Sequence, residues 1–208
     1  YVPGRSWKGL AEMLLLLLPP LKVADLGAGE GTVSLLLAQR AESVIAVDSS
    51  PKMMEYATEV ARRNGVANLD YRLGDIEQLP VGDGEVDLAL FHQSLHHAIH
   101  PEKAILEAQR ITRPGGRVVV LDLLRHRFEQ AREMYADVWL GFTLVELEDL
   151  LRAAGLTDIS VAVVHREEEA PHFQTVLATG RTAAGDGQCE ARPSAATLTA
   201  SAPQRSGV

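Results

Sequence analysis

The most informative segment of the chain reads Val23-Ala-Asp-Leu-Gly-Ala-Gly-Glu-Gly-Thr-Val-Ser-Leu-Leu-Leu-Ala38. It begins with a short apolar run, Val23 to Leu26, which is typical of a buried parallel strand. Glycines then stand at positions 27, 29 and 31, and the apolar residues after them predict a helix. A strand, a glycine-rich turn and a helix form the first half of a βαβ nucleotide-binding unit, in which bare backbone can lie against a ligand.

The spacing of these glycines argues against a dinucleotide ligand. A G-x-G-x-x-G fingerprint counted from Gly27 needs a glycine at position 32, which is Thr32. The chain instead reads Asp25-x-Gly-x-Gly-x-Gly31, with Glu30 inside the turn. This pattern resembles motif I of the class I S-adenosylmethionine (SAM) methyltransferases. SAM has no phosphates and is cationic overall, so acids beside bare backbone suit it, although an ordinary tight turn would contain the same glycines.

The resemblance covers residues 21–180 and carries expectations for the whole fold. It implies an α/β fold with a doubly wound, mostly parallel seven-stranded sheet and an antiparallel last strand, and it implies SAM as the cofactor. The expected strands are 23–26, 44–47, 69–73, 86–91, 117–121, 159–164 and 173–179. Expected helices include 102–112, closed by a turn at 113–116, and 144–154; residues 122–141 form a polar insertion that could cover the site.

Acids at the ends of the second and third strands extend the resemblance to a cofactor site. Asp48 ends the second strand about 20 residues past the first glycine, where nucleotide folds bind a ribose diol. In the family, an Asp placed like Asp75 accepts a hydrogen bond from the adenine amino group. Met53 falls where the family places an apolar residue against adenine, and core packing is its alternative role. The implied cofactor-binding residues are Asp25, Gly27, Ala28, Gly29, Asp48, Ser49, Met53, Gly74, Asp75, Ile76, Gln93 and Arg5.

Arg5 is assigned to the cofactor for a different reason, because it precedes the first expected strand. It lies beside a glycine in Tyr1-Val-Pro-Gly-Arg-Ser6, and the N-terminal segment of this fold often caps the site. The planar guanidinium can bind the SAM carboxylate in a bidentate way. A solvated surface arginine is the open alternative.

The fourth strand leads into a segment rich in histidine, His92-Gln-Ser-Leu-His-His-Ala-Ile-His100. In open α/β sheets the ligand lies at the carboxyl ends of the strands, so this segment should border the site. Leu95-His96-His97 resembles the Leu-His-His of quinone-methylating methyltransferases. Both histidines are candidate catalytic bases, since imidazole titrates near neutral pH, and holding the loop is their structural alternative. No metal site is expected, because no carboxylate or thiol lies among the histidines.

Composition and charge limit the partners. Hydrophobic residues make up 46% of the 208-residue chain, charged residues make up 23%, and the net charge is −8. Nonspecific binding to nucleic acid or to anionic membranes is therefore not expected. The one cysteine, Cys189, excludes an intramolecular disulfide framework and is compatible with a cytoplasmic protein.

Three segments are expected along the chain. Residues 1–20 form an N-terminal segment with a helix at 7–18, and the run Leu14 to Leu18 is far shorter than the ~20 apolar residues of a membrane span. Residues 21–180 form the methyltransferase domain. From Arg181 to Val208 the chain has almost no large apolar side chain, so a disordered tail is predicted.

Two functions from different classes follow from the resemblance. The first is an enzyme that moves a methyl group from SAM to a small-molecule acceptor by in-line displacement. The second is a SAM-binding sensor with little or no turnover, because residues 1–7 and Trp139-Leu-Gly-Phe142 resemble the methyltransferase domain that follows a winged helix in ArsR-type regulators. A fused or associated winged-helix domain is thus a possible partner. Arsenite methylation is disfavoured, because that chemistry uses several cysteines.

Overall fold

A computed structural model of the chain describes residues 19–169 and 171–184. In these residues seven strands form one sheet in the order β3-β2-β1-β4-β5-β7-β6. The strands are β1 (Lys22–Leu26), β2 (Ser43–Asp48), β3 (Leu69–Leu73), β4 (Val86–His92), β5 (Thr112–Leu123), β6 (Thr157–Arg166) and β7 (Gln174–Arg181). Neighbours pair in parallel from β3 to β5, while β7 pairs antiparallel with both β5 and β6. This is the class I methyltransferase, Rossmann-like architecture, with the antiparallel last strand that was predicted.

The described helices connect the strands and cover the sheet. They are α1 (Thr32–Ala38), α2 (Pro51–Arg63), α3 (Pro101–Ile111), α4 (Ala131–Met134) and α5 (Leu144–Ala153), with a 3₁₀ turn at Leu95–His97. The start of α2 follows its sequence signals, because Ser50 caps the Met53 N–H and Pro51 occupies the first turn. Helix α5 begins with a capping box between Thr143 and Glu146. None of the described helices is both long and apolar enough to cross a membrane.

The order of the strands determines where a ligand can bind. After β1 the chain places β2 and β3 on one side of it and then returns to place β4 on the other. The connections therefore diverge beyond the carboxyl ends of β1 and β4, and a crevice opens there. The strands beneath it form a rigid apolar core, in which Leu26, Val47 and Phe91 are fully buried.

The fifth strand differs from its prediction. A turn was expected at residues 113–116, but β5 begins at Thr112, and its pairing with β4 shifts between Val86–Thr112 and Leu88–Arg117. Gly116 enables this irregularity, because a Cβ there would lie 2.7 Å from the carbonyl oxygen of Asp87. The Pro-Gly-Gly sequence therefore forms a bulge in the strand.

The end of the domain is also corrected. The prediction placed Arg181 in a disordered tail, but β7 includes Arg181, and Thr182 is buried. The Thr182 hydroxyl donates to the carbonyl oxygen of Arg113 at 2.6 Å, and its N–H donates to Gly116 at 3.1 Å. The bulge in β5 offers these carbonyl groups, which the sequence pattern could not show. The helix predicted at residues 7–18, Arg5 and the predicted tail beyond residue 184 lie outside the described residues.

Candidate functional site

The glycine turn is fixed to the neighbouring strand by its backbone. The N–H groups of Gly27 and Ala28 both donate to the Val47 carbonyl oxygen, at 2.8 and 3.0 Å. Gly27 has φ +77°, and a Cβ on it would lie 2.5 Å from the Ser94 Cβ. A side chain at this position would thus be strained and would also clash. The turn therefore places bare backbone at the mouth of the crevice, as predicted.

Asp48 connects two loops at the end of β2. One of its carboxylate oxygens accepts the Gly29 N–H at 2.8 Å, and the other accepts the Ser50 N–H at 2.8 Å. Each oxygen keeps a free lone pair, so the carboxylate can still accept the two hydroxyl protons of a ribose. The Gly74 N–H donates to the Asp48 carbonyl at 3.0 Å, which holds the third strand end beside it.

These loops enclose a cavity of about 480 Å³, here called the first cavity. The predicted residues that line it are Gly27, Gly29, Asp48, Ser49, Met53, Gly74, Asp75, Ile76 and Gln93. Residues Glu77, Ser94, His97, Ala98 and Ile99 line it as well and had not been assigned to the cofactor. Met53 is 37% exposed, which argues against the core-packing alternative. The volume is within the usual range of small-molecule sites.

Asp25 and Ala28 do not line this cavity. The Asp25 side chain is buried, accepts the Ser34 hydroxyl at 2.6 Å, and so attaches α1 to the floor of the glycine turn. Burial raises the pKa of the Asp25 carboxyl. The sequence shows an acid before the glycines but not which face of β1 carries it, and contact between Asp25 and a ligand stays a prediction. Ala28 contributes its backbone N–H to the turn.

A second cavity of about 410 Å³ adjoins the first. It is lined by Gln93, His96, His97, Leu123, Tyr135, Asp137, Glu167, Phe173 and Thr175. Gln93 and His97 line both cavities. Gln93 has φ +54°, an uncommon value for a residue with a side chain, and its N–H donates to the Leu121 carbonyl at 2.8 Å. The junction between the cavities is therefore formed by the segment that follows β4.

His96 is buried between two carboxylates. Its Nδ1 lies 2.7 Å from Asp122 Oδ1, and its Nε2 lies 3.5 Å from Asp137 Oδ1. Burial lowers the pKa of His96, but the hydrogen bond to Asp122 and the charges of both acids outweigh it, so the pKa is raised overall. With both ring nitrogens facing acids, His96 is poorly placed to accept a proton from a bound acceptor.

His97 has a different environment. Its side chain is exposed to the cavities, and its Nδ1 lies 3.3 Å from the Ala136 carbonyl oxygen. Partial burial and the neighbouring His96 lower its pKa, which favours the neutral imidazole. Donation from Nδ1 to Ala136 would leave a lone pair on Nε2. Of the two predicted bases, His97 is the one that has the geometry of a base.

Asp122 and Asp137 were not assigned to the site from sequence. Asp122 is fully buried and accepts the Leu95 N–H at 3.0 Å in addition to the His96 ring. It stands near the end of β5 as Asp48 stands at the end of β2, so the strand-end rule could have found it. Asp137 follows α4 in the insertion, where no periodic pattern marks it.

Comparisons with known proteins agree with this geometry. Residues 24–120 match the family described as methyltransferase domain. An arsenite methyltransferase of Halobacterium salinarum is 32% identical over 149 residues, which are 67% of this chain and 38% of that protein. A demethylmenaquinone methyltransferase of Renibacterium salmoninarum is 31% identical over 133 residues, 64% of this chain and 54% of that protein. The chain thus spans about a third to a half of these relatives' length.

A solved structure supports the fold independently. The YcgJ protein of Bacillus subtilis superposes with a TM-score of 0.68 at 18% identity, covering 85% of this chain and 98% of that one. Residues 24–120 therefore match a methyltransferase family and the chain has the class I methyltransferase fold, with quinone and arsenite methyltransferases among the proteins that it resembles. SAM is the cofactor that this class implies, and the first cavity offers backbone and carboxylate groups that fit it.

Proposed function

We propose that this chain transfers a methyl group from SAM, held in the first cavity, to a small-molecule acceptor held in the second. The observation that carries this proposal is the shared junction, since Gln93 and His97 line both cavities. A methyl group on SAM and a nucleophile on the acceptor would meet at this junction. The related quinone and arsenite methyltransferases support a small acceptor.

When SAM is bound, Asp48 would accept hydrogen bonds from its ribose hydroxyls, and Asp75 would face its adenine amino group. Met53 would contact the adenine ring. The remaining backbone of the glycine turn would lie against the amino-acid end of the ligand. A group bound in this way is positioned without any covalent bond to the protein, and positioning is the main contribution that a reactive methyl donor requires.

The reaction itself is a displacement at the methyl carbon. The acceptor's nucleophilic atom would form a bond to this carbon as the carbon–sulfur bond breaks, and the electron pair of that bond would stay on sulfur, which leaves as a neutral thioether. The acceptor proton would pass to His97 Nε2, and such general-base help is typically worth about 10²–10⁴-fold. His96 is a positioning residue, because Asp122 holds its Nδ1 at 2.7 Å and its ring lies beside the ring of His97.

The lining of the second cavity favours acceptors without negative charge. Asp137 and Glu167 contribute carboxylates, Tyr135 and Phe173 contribute aromatic rings, and none of the described lining residues is lysine or arginine. A carboxylate or phosphate on the acceptor would be repelled there. We therefore infer a neutral or cationic acceptor, such as a phenol or an amine.

The test is a screen of neutral, cationic and anionic small molecules with SAM labelled in its methyl group. We expect label transfer to members of the first two groups and none to the third. SAM binding with no transfer to any compound would contradict the enzymatic proposal and favour the sensor role. That role, and association with a winged-helix regulator, stay predictions.

A further inference from the structure

His96, His97 and Asp137 form a cluster at the junction of the two cavities, here called the His–His–Asp cluster. One ligand atom from each side chain lies within 4.8 Å of the other two. The sequence argued against a metal site on the grounds that no carboxylate lies among the histidines. In the structure the insertion brings Asp137 to them, which the sequence of this segment could not show.

The Nδ1 of each histidine faces an oxygen atom. His96 Nδ1 lies 2.7 Å from Asp122 Oδ1, and His97 Nδ1 lies 3.3 Å from the Ala136 carbonyl oxygen. If each Nδ1 donates its proton to that oxygen, each Nε2 has a free lone pair. Metal-binding histidines almost always donate their other ring N–H to a carboxylate or a carbonyl, which fixes the tautomer and the ring.

Asp137 is the candidate for the third ligand, because one of its carboxylate oxygens lacks a hydrogen-bond partner within the described part of the chain. Its side chain is buried, and its Oδ1 makes no hydrogen bond among the described residues. A buried carboxylate oxygen without a partner is costly, so such an atom usually binds a donor or a cation. Asp137 Oδ1 lies 3.5 Å from His96 Nε2. Two ligands at about 2.0–2.1 Å from one tetrahedral zinc ion are about 3.4 Å apart, which matches this distance.

We propose that the His–His–Asp cluster binds a divalent transition-metal ion such as Zn²⁺ or Fe²⁺. Three protein ligands leave coordination positions open, as in catalytic zinc sites and in two-histidine, one-carboxylate iron sites. His97 is exposed, so its ring can turn to close the remaining distance, while His96 and Asp137 are held by burial. The open positions face the second cavity, which the three ligands line.

The ion would also change how the acceptor is activated, and this part rests on the proposed function. An acceptor oxygen or sulfur bound at an open position would lose its proton more readily, because the ion stabilises the anion. His97 would then be a ligand of the ion and would no longer act as the general base. The ion itself would favour the deprotonated acceptor. Among the neutral acceptors inferred above, the ion would thereby favour those with a hydroxyl or thiol group over amines.

The experiment is a titration of the full-length, chelator-treated chain with Co²⁺, whose visible absorption reports its ligands. We expect about one Co²⁺ per chain, displaced by Zn²⁺, which binds nitrogen and oxygen ligands more tightly. The variants Asp137→Asn and His97→Ala should each weaken Co²⁺ binding at least about tenfold. The matched controls are His165→Ala, an exposed histidine of β6 outside the cluster, and Cys189→Ser, the single thiol; both should bind like wild type.

The SAM dissociation constant of each variant is measured on the same samples to confirm folding. Unchanged Co²⁺ binding in Asp137→Asn and His97→Ala would overturn the metal site, and so would equal loss in His165→Ala or Cys189→Ser. A metal site that is confirmed while no methyl transfer occurs would leave this inference standing and contradict the proposed function. Methyl transfer that is unaffected by chelation, with no Co²⁺ spectrum, would support the proposed function and overturn the metal site.

Discussion

The two cavities lie side by side but are built in different ways. The first is built largely from the turns that follow β1, β2 and β3, where Asp48 connects two backbone loops, and the segment after β4 closes one side of it. The second is formed by side chains from the segment after β4, the end of β5, the insertion, the loop between β6 and β7, and the start of β7. Two buried polar residues that line it, His96 and Asp137, and the buried Asp122 that bonds His96 come from three separate segments.

This difference assigns different tasks to the two regions. A cavity of fixed backbone groups can recognise one ligand and leaves few side chains to vary. A cavity of side chains can change its acceptor through a few substitutions while the backbone stays the same. We therefore expect the choice of acceptor to depend on the second cavity. We expect the stability of this region to depend on the buried pair of His96 and Asp122.

The largest expected effect concerns stability in the second region. Removing the imidazole in His96→Ala leaves the buried Asp122 carboxylate without its side-chain partner, which should lower the free energy of unfolding by about 3 kcal/mol. His96→Asn keeps a donor near the position of Nδ1 and should lose clearly less. Urea unfolding of both variants measures this, and equal stability of His96→Ala and wild type would show that the pair does not support the fold.

The next effect concerns the first region. Asp48→Ala removes the acceptor for the ribose hydroxyls and should cost about 1.5–3 kcal/mol of SAM binding free energy, the scale of hydrogen bonds to a charged group. Asp70→Ala, at an exposed position of β3, changes the net charge equally and serves as the control. Calorimetry measures both variants. A similar loss of affinity in the control would attribute the effect to overall charge.

The junction between the cavities should affect turnover without affecting SAM binding. His97→Ala is expected to lower kcat at least about tenfold, because the acceptor loses its activating group, while the SAM dissociation constant stays near that of wild type. His165→Ala should retain full activity, as its side chain lies outside both cavities. The measurement is steady-state methyl transfer to the best acceptor of the screen. Full activity of His97→Ala would leave proximity alone as the mechanism.

The smallest effect concerns the corrected end of the domain. A chain that ends at Gly180 loses the Thr182 hydrogen bonds to Arg113 and Gly116. Its free energy of unfolding should therefore be about 1 kcal/mol lower than that of the full chain. A chain that ends at Ala184 keeps these bonds and should retain the melting temperature of the full chain. Equal melting temperatures for the two truncated chains would contradict the docking of Thr182.

Sequence reasoning succeeded where local signals determine structure. The glycine turn, the acid at the end of β2 and the Ser50-Pro51 helix start each depend on neighbours in the chain, and all were located correctly. Nine of the fourteen residues that line the first cavity were therefore named as cofactor-binding before the structure. Asp25 and Ala28 were named as well but do not line it, because the direction of a side chain depends on how β1 packs.

The second cavity could not be derived in the same way. Asp137 reaches His96 across a long separation in sequence, and no helical or strand period marks the insertion that carries it. The extended β5 and the docking of Thr182 depend on a bulge whose pairing the sequence does not specify. Such contacts are determined by tertiary packing rather than by local propensity.

The most direct test of the central assignment is calorimetric binding of SAM and of NAD to wild type, Gly27→Ala and Gly155→Ala. Both glycines have nearly equal φ values, +77° and +76°, but a Cβ at Gly27 would meet Ser94 at 2.5 Å, whereas nothing lies within 4 Å at Gly155. We predict that wild type and Gly155→Ala bind SAM and not NAD, and that Gly27→Ala loses most of its SAM affinity. Binding of NAD but not SAM by wild type, or undiminished SAM binding by Gly27→Ala, would contradict the assignment.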